Sequence, residues 1–444
     1  MSNKFAWRAI LVMLTFLCSD GAQAVPEIQT WRTSNGAKVL FVAAPSLPML
    51  DVRVAFAAGS AYDGAQPGVA TLTASLLTQG AGPWDADTLA ERIDNVGATL
   101  TSGADRDMAW VSVRTLTRPP ALDVAIDTLA QVLAAPRFAP EDVARVRENH
   151  LVALRQAEQD PATVGNKALY RAVFGDHPYA SDPDGTAASV AALQPEDARA
   201  FHRRYYVAAN ATLAVVGALD RPAAAALAER LLAGLPRGTV PPPVPPVPAL
   251  ASGTTVTIAF PSSQTHLYAG LPGMRRNDPD YYPLYVGNHI LGGSGLVSLL
   301  MEEVREQRGL SYSVYSYFQP LAQPGPFVLG LQTKNDQAAA AQAVLLRTLE
   351  RFIEHGPTVA ELEAARQNLT GGFPLRIASN AKIVAYLTAI GFYDLPLDHL
   401  ARFTARIAAV TAEQIRDAFR RRVDPRHLVV VRVGQLLDSS GGAH

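Results

Sequence analysis

Between Gly238 and Leu250 the chain reads GTVPPPVPPVPAL. Prolines at this density fix φ and supply no backbone N–H, so neither a helix interior nor a central strand can run through the segment, and an extended, stiff linker is expected. Spanning 238–250, it divides the chain into halves of similar length, 25–237 and 251–444. A total of 444 residues suffices for two or more domains with real cores, and 48% hydrophobic against 18% charged residues describes a folded protein. The two halves also end alike. Phe201-His202-Arg203-Arg204-Tyr205-Tyr206 precedes Asn210 and the run Thr212 to Gly217, and Phe419-Arg420-Arg421-Arg422 precedes Asp424-Pro425 and the run Leu428 to Gly434. Each is a basic helix end, a polar turn, a β-branched strand and a glycine, which points to a duplicated unit.

Short strands alternate with longer helices inside each half. Lys38 to Ala43 and Asp51 to Phe56 read as strands turned by Pro45 to Pro48, and Thr99 to Ser102 with Met108 to Val113 reads as a hairpin. Pro67 to Thr78, Ala86 to Val96, Pro120 to Leu133 and Pro140 to Gln159 carry helical periodicity, and the Ala-rich stretch 223–235 suits tight helix packing. The expected fold class is α+β: two homologous lobes of mixed or antiparallel sheet with helices packed on one face, each a duplicated α/β unit.

The N-terminus has the layout of a secretory signal, 1–24. Lys4 and Arg8 form a basic start, Ala9 to Cys18 is apolar, and Ala22-Gln23-Ala24 is a small-x-small cleavage site. The apolar run is shorter than the roughly 20 residues that span a bilayer, so no stable membrane anchor is expected. Cys18 is the one cysteine and lies inside the leader, with Phe16 and Leu17 where a lipoprotein signal would need small residues. The mature chain then has no disulfide and no thiolate metal site. Export to the periplasm is the expected localisation. A formal net charge of -1 gives no electrostatic case for nucleic acid.

Gly59-Ser60-Ala61-Tyr62-Asp63, Gly68-Val69-Ala70 through Gly80, His177-Pro178-Tyr179, Asp184-Gly185-Thr186, Tyr205-Tyr206 through Gly217, Leu291-Gly292-Gly293-Ser294-Gly295, Arg305 through Val314, and Asp424-Pro425 through Gly434 follow one another along the chain. In this order they resemble the pitrilysin/insulinase-type (M16, inverted zincin) peptidases. Active members carry HxxEH on the opening helix, two imidazoles one turn apart holding zinc and a glutamate activating the bound water. Aligning Gly68-Val69-Ala70 with that helix start puts Thr71, Ala74 and Ser75 at the three positions. A third ligand, a glutamate roughly 75–80 residues on in a helix, falls on Val152 or Ala153. Hydroxyls and methyls are no substitute for imidazole and carboxylate, so this chain is expected to bind no metal or other cofactor. None of its nine histidines forms an HxxxH or HxH pair, and His150 is the one on the third-ligand helix.

The resemblance also implies what remains. Arg305 and Tyr312 match the family's Arg/Tyr pair, with Arg305 expected to close a helix from Leu296 and Tyr312 to open a strand through Phe318. A phenol donates to a developing oxyanion, and a guanidinium holds a peptide carbonyl by a forked donor pair. Gly292, Gly293 and Ser294 match a family loop that lies near bound peptide, where glycine permits close approach. No Lys-Ser/Thr follows them, which rules out a nucleotide loop. The implied role is that of the non-catalytic, zinc-less subunit of a heterodimer, like the processing-peptidase-like two-subunit bacterial members. A zinc-bearing homologue would be the partner, and peptides the substrates. The alternative is a non-enzymatic peptide-binding or scaffold protein. A self-sufficient hydrolase ranks last, since no G-x-S-x-G elbow is present.

Overall fold

The structure, a computed structural model, describes residues 27–435; the leader 1–24 and Cys18 lie outside the described residues. Two sheets carry the chain, one from each half. The first contains β1 (Gln29–Arg32), β2 (Lys38–Ala43), β3 (Met49–Phe56), β4 (Thr99–Ala104), β5 (Ala109–Leu116) and β6 (Ala211–Gly217), in the order β1-β2-β6-β3-β5-β4. The second contains β7 (Thr254–Ala259), β8 (Gln264–Pro272), β9 (Val314–Phe318), β10 (Pro326–Lys334) and β11 (Val429–Gly434), in the order β7-β11-β8-β10-β9. In the first sheet β2 and β6 pair parallel and every other neighbour antiparallel. The second repeats this, with β7 and β11 the parallel pair. Five strands thus recur in one topology, and β1 is an addition at one edge. The mixed-sheet, two-lobed α+β expectation holds.

The helices that matter for the site are α1 (Val69–Leu76), α2 (Ala121–Ala134), α3 (Pro140–Ala157), α4 (Pro161–Phe174), α5 (Pro195–Tyr205), α6 (Tyr281–Asn288), α7 (Ala338–His355), α8 (Val359–Gly371), α9 (Asn380–Phe392) and α10 (Ala412–Arg422). Their starts are written in the sequence. Asp160 accepts the N–H groups of Ala162 and Thr163 ahead of Pro161, and Thr358/Glu361 and Thr411/Gln414 form reciprocal capping boxes. Each lobe lays its own helices on one face of its sheet, α2 on β5 and α7 on β8 and β10.

The opposite face of each sheet is covered by the other half. Helix α4, from the first half, packs on β8 and β11, while α9, from the second, packs on β2, β3 and β6. Strand alternation explains how one sheet serves two cores. Val39, Phe41, Leu213 and Val215 face the first lobe's own core, and Leu40, Val42, Ala214 and Val216 join the core of the second. Glycines sit at both crossings. A Cβ on Gly165 would stand 2.4 Å from Tyr268 Cε2, and one on Gly391 would stand 2.4 Å from Leu40 Cδ1. The lobes are therefore interlocked by exchanged helices.

The segment 238–250 has no helix or strand, as its prolines require, and it is anchored along the lobe boundary. Val244 is buried beside Tyr179, Leu321 and Val328, its carbonyl accepts from Gln323 Nε2 at 3.1 Å, and the Pro245 carbonyl lies 2.8 Å from His177 Nε2. Two local expectations fail nearby. The helix does not run from Leu296, because a 3₁₀ turn Gly295–Val297 ends at Ser298 in an extended conformation, and the helical turns that reach Arg305 begin after it, with π-type pairing over Met301–Glu306. Strand β9 begins at Val314, so Tyr312 lies in the preceding loop.

Candidate functional site

Helix α1 begins where Asp63 folds back over it. Its carboxylate accepts the Gly68 N–H at 2.7 Å and the Ala70 N–H at 2.9 Å. Gly68 has φ 93°, and a Cβ there would stand 3.1 Å from the Asp184 carbonyl oxygen, so both conformation and space demand glycine. Burial pushes the Asp63 carboxyl up to about 7, against the two N–H donors that favour its charged form.

Thr71 and Ser75, one turn apart, face α3 across a small cavity of about 260 Å³ that is also lined by Asn149, His150, Ala153 and Asp184. Of the two candidate positions Ala153 faces this cavity, whereas Val152 does not line it and is 39% exposed. Ala74 is buried, and its carbonyl accepts from Ser102 Oγ at 2.7 Å. The hydroxyls are already committed: Thr71 Oγ1 donates to the Pro183 carbonyl at 2.7 Å and Ser75 Oγ to the Thr71 carbonyl at 2.9 Å. His150 Nε2 stands 3.9 Å from Asp184 Oδ1, beyond hydrogen-bonding distance. Among the described residues no three His, Cys, Asp or Glu side chains converge as a metal site would need. The hydroxyls and methyls of these residues do not fit a zinc ion.

At the junction of the lobes lies a polar node that sequence reading missed. Asp107, in the β4–β5 turn and 1% exposed, accepts from Tyr179 Oη at 2.6 Å, from Tyr393 Oη at 2.9 Å and from the Ala322 N–H at 2.8 Å. Tyr179 follows α4 and Tyr393 follows α9, so one carboxylate ties the ends of both exchanged helices to the β9–β10 turn. Burial raises the Asp107 carboxyl pKa, and the three donors oppose the rise. Arg106 stacks 3.7 Å over the Tyr170 ring and donates to the Tyr179 carbonyl at 3.1 Å. Arg106-Asp107 in a hairpin turn reads as surface charge; only the unusual run of charge at a two-strand corner hinted otherwise.

In the second lobe, the guanidinium of Arg305 lies 4.8 Å from the centre of the Tyr312 ring, and Arg305 Nε is 3.5 Å from Glu306 Oε1. The loop presenting Tyr312 is fastened on both sides. Ser311 is buried with its hydroxyl 2.7 Å from the carbonyls of Ser313 and Gln332, and Val314 is buried in the core. Tyr312 between them is 78% exposed. Gly292 is buried, and a Cβ there would stand 2.5 Å from Ser316 N, so this glycine serves close packing of the turn His289–Gly293 against β9. Gly293 is exposed and Ser294 half-buried at the outer end of the turn. Arg305 and Tyr312 are thus brought together, while the positions of Thr71, Ala74, Ser75 and Ala153 form a separate cluster in the first lobe.

Comparison with known proteins agrees with this arrangement. The model of the insulinase family (peptidase family M16) matches residues 38–185, and that of the peptidase M16 inactive domain matches residues 192–369. A crystal structure of a peptidase M16 inactive domain from Pseudomonas fluorescens is 38% identical, with a TM-score of 0.90, covering 92% of this chain and 98% of that one. An uncharacterized zinc protease of Streptomyces coelicolor is 29% identical over 77% of this chain and 75% of its own length. A Helicobacter pylori protein described as a non-peptidase homolog is 26% identical over 87% of this chain and 90% of its own. With the duplicated sheet topology and both halves matched, the chain belongs to the insulinase (M16) peptidase family.

Proposed function

We propose that this protein is the zinc-less subunit of a two-chain M16-type peptidase, lending Arg305 and Tyr312 to a zinc-bearing homologue. The observation that carries the reading is the contrast between the two clusters. The hydroxyls that replace metal ligands are bonded to backbone carbonyls inside their own lobe, whereas Tyr312 is held out to solvent by a fastened loop with Arg305 against its ring. A phenol and a guanidinium presented together suit a tetrahedral oxyanion and the carbonyl beside it, groups that would belong to a substrate held on the partner. Zinc would reside in that partner and activate the attacking water there. Substrate peptides would be enclosed between the two chains, with the exposed turn at Gly293 and Ser294 beside them. The leader-like residues 1–24 support export, and we place the complex in the periplasm.

Reconstitution with a zinc-bearing homologue from the same genome tests this. Removing one oxyanion donor typically costs about 10²–10³ in kcat, so Tyr312→Phe and Arg305→Ala should each lower peptide turnover on that scale while the two chains still co-purify. Because Tyr312 is 78% exposed, Tyr312→Phe should change stability by no more than about 0.5 kcal/mol. Full turnover by a pair carrying both changes would remove the proposal. It would leave the second reading, a peptide-binding scaffold without a catalytic part, which the non-peptidase description of the Helicobacter pylori relative favours.

A further inference from the structure

The second lobe contains a cavity of about 520 Å³ walled by α6, the turn after it, β9 and α9. One of its walls, α6 with the turn after it, is the topological counterpart of α1 in the first lobe. Helix α6 packs on α10 as α1 packs on α5, and the turn His289–Gly293 meets β9 as α1 meets β4. The first-lobe crevice beside α1 is about 260 Å³ and holds Thr71, Ser75, Asn149, His150 and Asp184, while this cavity is about twice as large and of another chemistry.

Two guanidiniums, Arg276 and Arg376, reach this cavity, and no aspartate or glutamate lines it among the described residues. Neither arginine has a carboxylate partner within 4 Å among the described residues. Arg276 is half-buried, and its Nε is inaccessible to water and lacks any hydrogen-bond acceptor. The carboxylate whose field it feels, Asp107, is already taken by Tyr179, Tyr393 and the Ala322 N–H. An unpaired guanidinium donor in so enclosed a place is costly unless something supplies an acceptor. Arg376 is exposed, standing on the solvent side of the cavity at the end of the short helix Phe373–Arg376. The rest of the wall is aromatic. Tyr281 and Tyr285 stack with centroids 5.9 Å apart at 6°, Tyr285 meets Phe403 edge-on at 5.9 Å, and Tyr386 lies on the facing helix α9. His399 also lines the wall, and burial lowers its pKa, so it adds little positive charge at neutral pH.

Forked cationic donors set in an aromatic wall select a carboxylate carried on a large apolar group. We propose that this cavity is a peptide-anchoring site that takes a carboxylate borne by an apolar or aromatic peptide residue, held between Arg276 and Arg376 with its side chain against Tyr281, Tyr285 and Phe403. A cavity of about 520 Å³ has room for one or two residues, not a folded partner. The proposal rests on the peptide-handling role above and specifies what part of a peptide the second lobe would hold. The carboxylate could be the C-terminus or an acidic side chain.

Fluorescence anisotropy on the full chain alone, without a partner, distinguishes these. The probes are labelled Ala-Ala-Ala-Phe as free acid, its C-terminal amide, and amidated Ala-Glu-Ala-Phe. The free acid should bind at least tenfold more tightly than its amide if the terminus is recognised; the glutamate probe should regain that factor if a side chain is. Either pattern supports the site, provided Arg376→Gln, whose exposed position spares the fold, weakens binding at least tenfold and Arg276→Lys weakens it less than Arg276→Gln. Equal affinity for acid and simple amide with no gain from glutamate, or binding indifferent to Arg376→Gln, overturns it. Because the measurement needs no turnover, failure here leaves the Arg305/Tyr312 assay standing, and failure of that assay leaves this one to be read by itself.

Discussion

Gly165→Ala is the most exacting test of the interlocked lobes. In an ordinary exposed helix the change stabilises by about 1 kcal/mol, since alanine has the higher helix propensity. Here the new methyl would stand 2.4 Å from Tyr268 Cε2, 2.8 Å from Cδ2 and 3.2 Å from Val433 Cγ2. The ring has little freedom to retreat, because Tyr268 is 5% exposed and its hydroxyl donates back to the Ala162 carbonyl of the same helix at 3.1 Å. Overpacking of this kind costs about 1–3 kcal/mol, and pulling the phenol off its acceptor costs about 1 kcal/mol more. Packing outweighs propensity, for a net loss of roughly 1–3 kcal/mol. Gly391→Ala at the reciprocal crossing should also destabilise by about 1–3 kcal/mol, since its methyl would stand 2.4 Å from Leu40 Cδ1 and 2.6 Å from Thr212 Cγ2, both buried. Gly371, at the end of α8 with nothing within 4 Å of a new Cβ, supplies the control and should gain up to about 1 kcal/mol. Urea midpoints followed by near-ultraviolet circular dichroism rank the three variants. If Gly165→Ala proves as stable as the parent or more so, α4 does not bear on β8 and β11 as described, and the exchanged-helix account fails.

Two further outcomes follow from the buried polar groups. His202 donates from Nε2 to the Leu133 carbonyl at 2.9 Å, and burial holds its pKa down to about 4 from an unfolded value near 6.5. The unfolded chain therefore takes up the proton first, and stability present above pH 6.5 falls as pH drops toward 4, by about 3 kcal/mol in all. His202→Gln, which keeps an N–H for Leu133, should flatten this slope relative to the parent in urea titrations between pH 7 and 4, whereas an unchanged slope assigns it to other groups. Asp63 works in the opposite sense, since its raised carboxyl loses stability as pH climbs through about 7, so only the difference between variant and parent is diagnostic. Asp107→Ala should cost roughly 3–5 kcal/mol, leaving two phenols and an N–H without their buried acceptor, and should speed hydrogen exchange at the ends of both α4 and α9; exchange confined to one lobe would count against the node as a clamp.

What the sequence disclosed depended on how local the governing physics is. The β-branched runs Thr212 to Gly217 and Leu428 to Gly434, each after a basic helix end and a polar turn, marked two equivalent strands, and both are interior partners of a parallel pair. Helix starts at Asp160, Thr358 and Thr411 went unread, although the structure shows each set by cap chemistry only a few residues long. That Thr71, Ala74 and Ser75 stand where active members carry HxxEH is what the resemblance implies; in the structure the two hydroxyls are bonded to backbone carbonyls and Ala74 is buried. The choice between Val152 and Ala153 was not legible, since neighbouring residues on a helix point about 100° apart and only the packing of α3 on α1 says which one faces the crevice. Tyr312 was misassigned for a related reason. Its aromatic, β-branched neighbourhood favours a strand, but Ser311 spends its hydroxyl on two carbonyls and the ladder starts only at Val314.

The exchanged helices show where pattern reading reaches its limit. Residues 161–174 carry an apolar stripe with Leu169, Tyr170, Val173 and Phe174 buried, and such a stripe declares that a partner exists without naming it. The nearest sheet in sequence was the natural candidate, yet that sheet's free face is filled by α9 from the far side of the proline segment. The same exchange bears on function. A lobe that hinged freely on a proline spacer could not hold Tyr312 and the anchoring cavity at fixed positions relative to the first lobe. With α4 and α9 crossed over, Asp107 gripping the residue chain beyond each, and Val244 buried between, the two lobes present one rigid face. Preorganisation of this kind is what a donor pair acting across an interface requires, since an oxyanion contact displaced by about 1 Å loses most of its value.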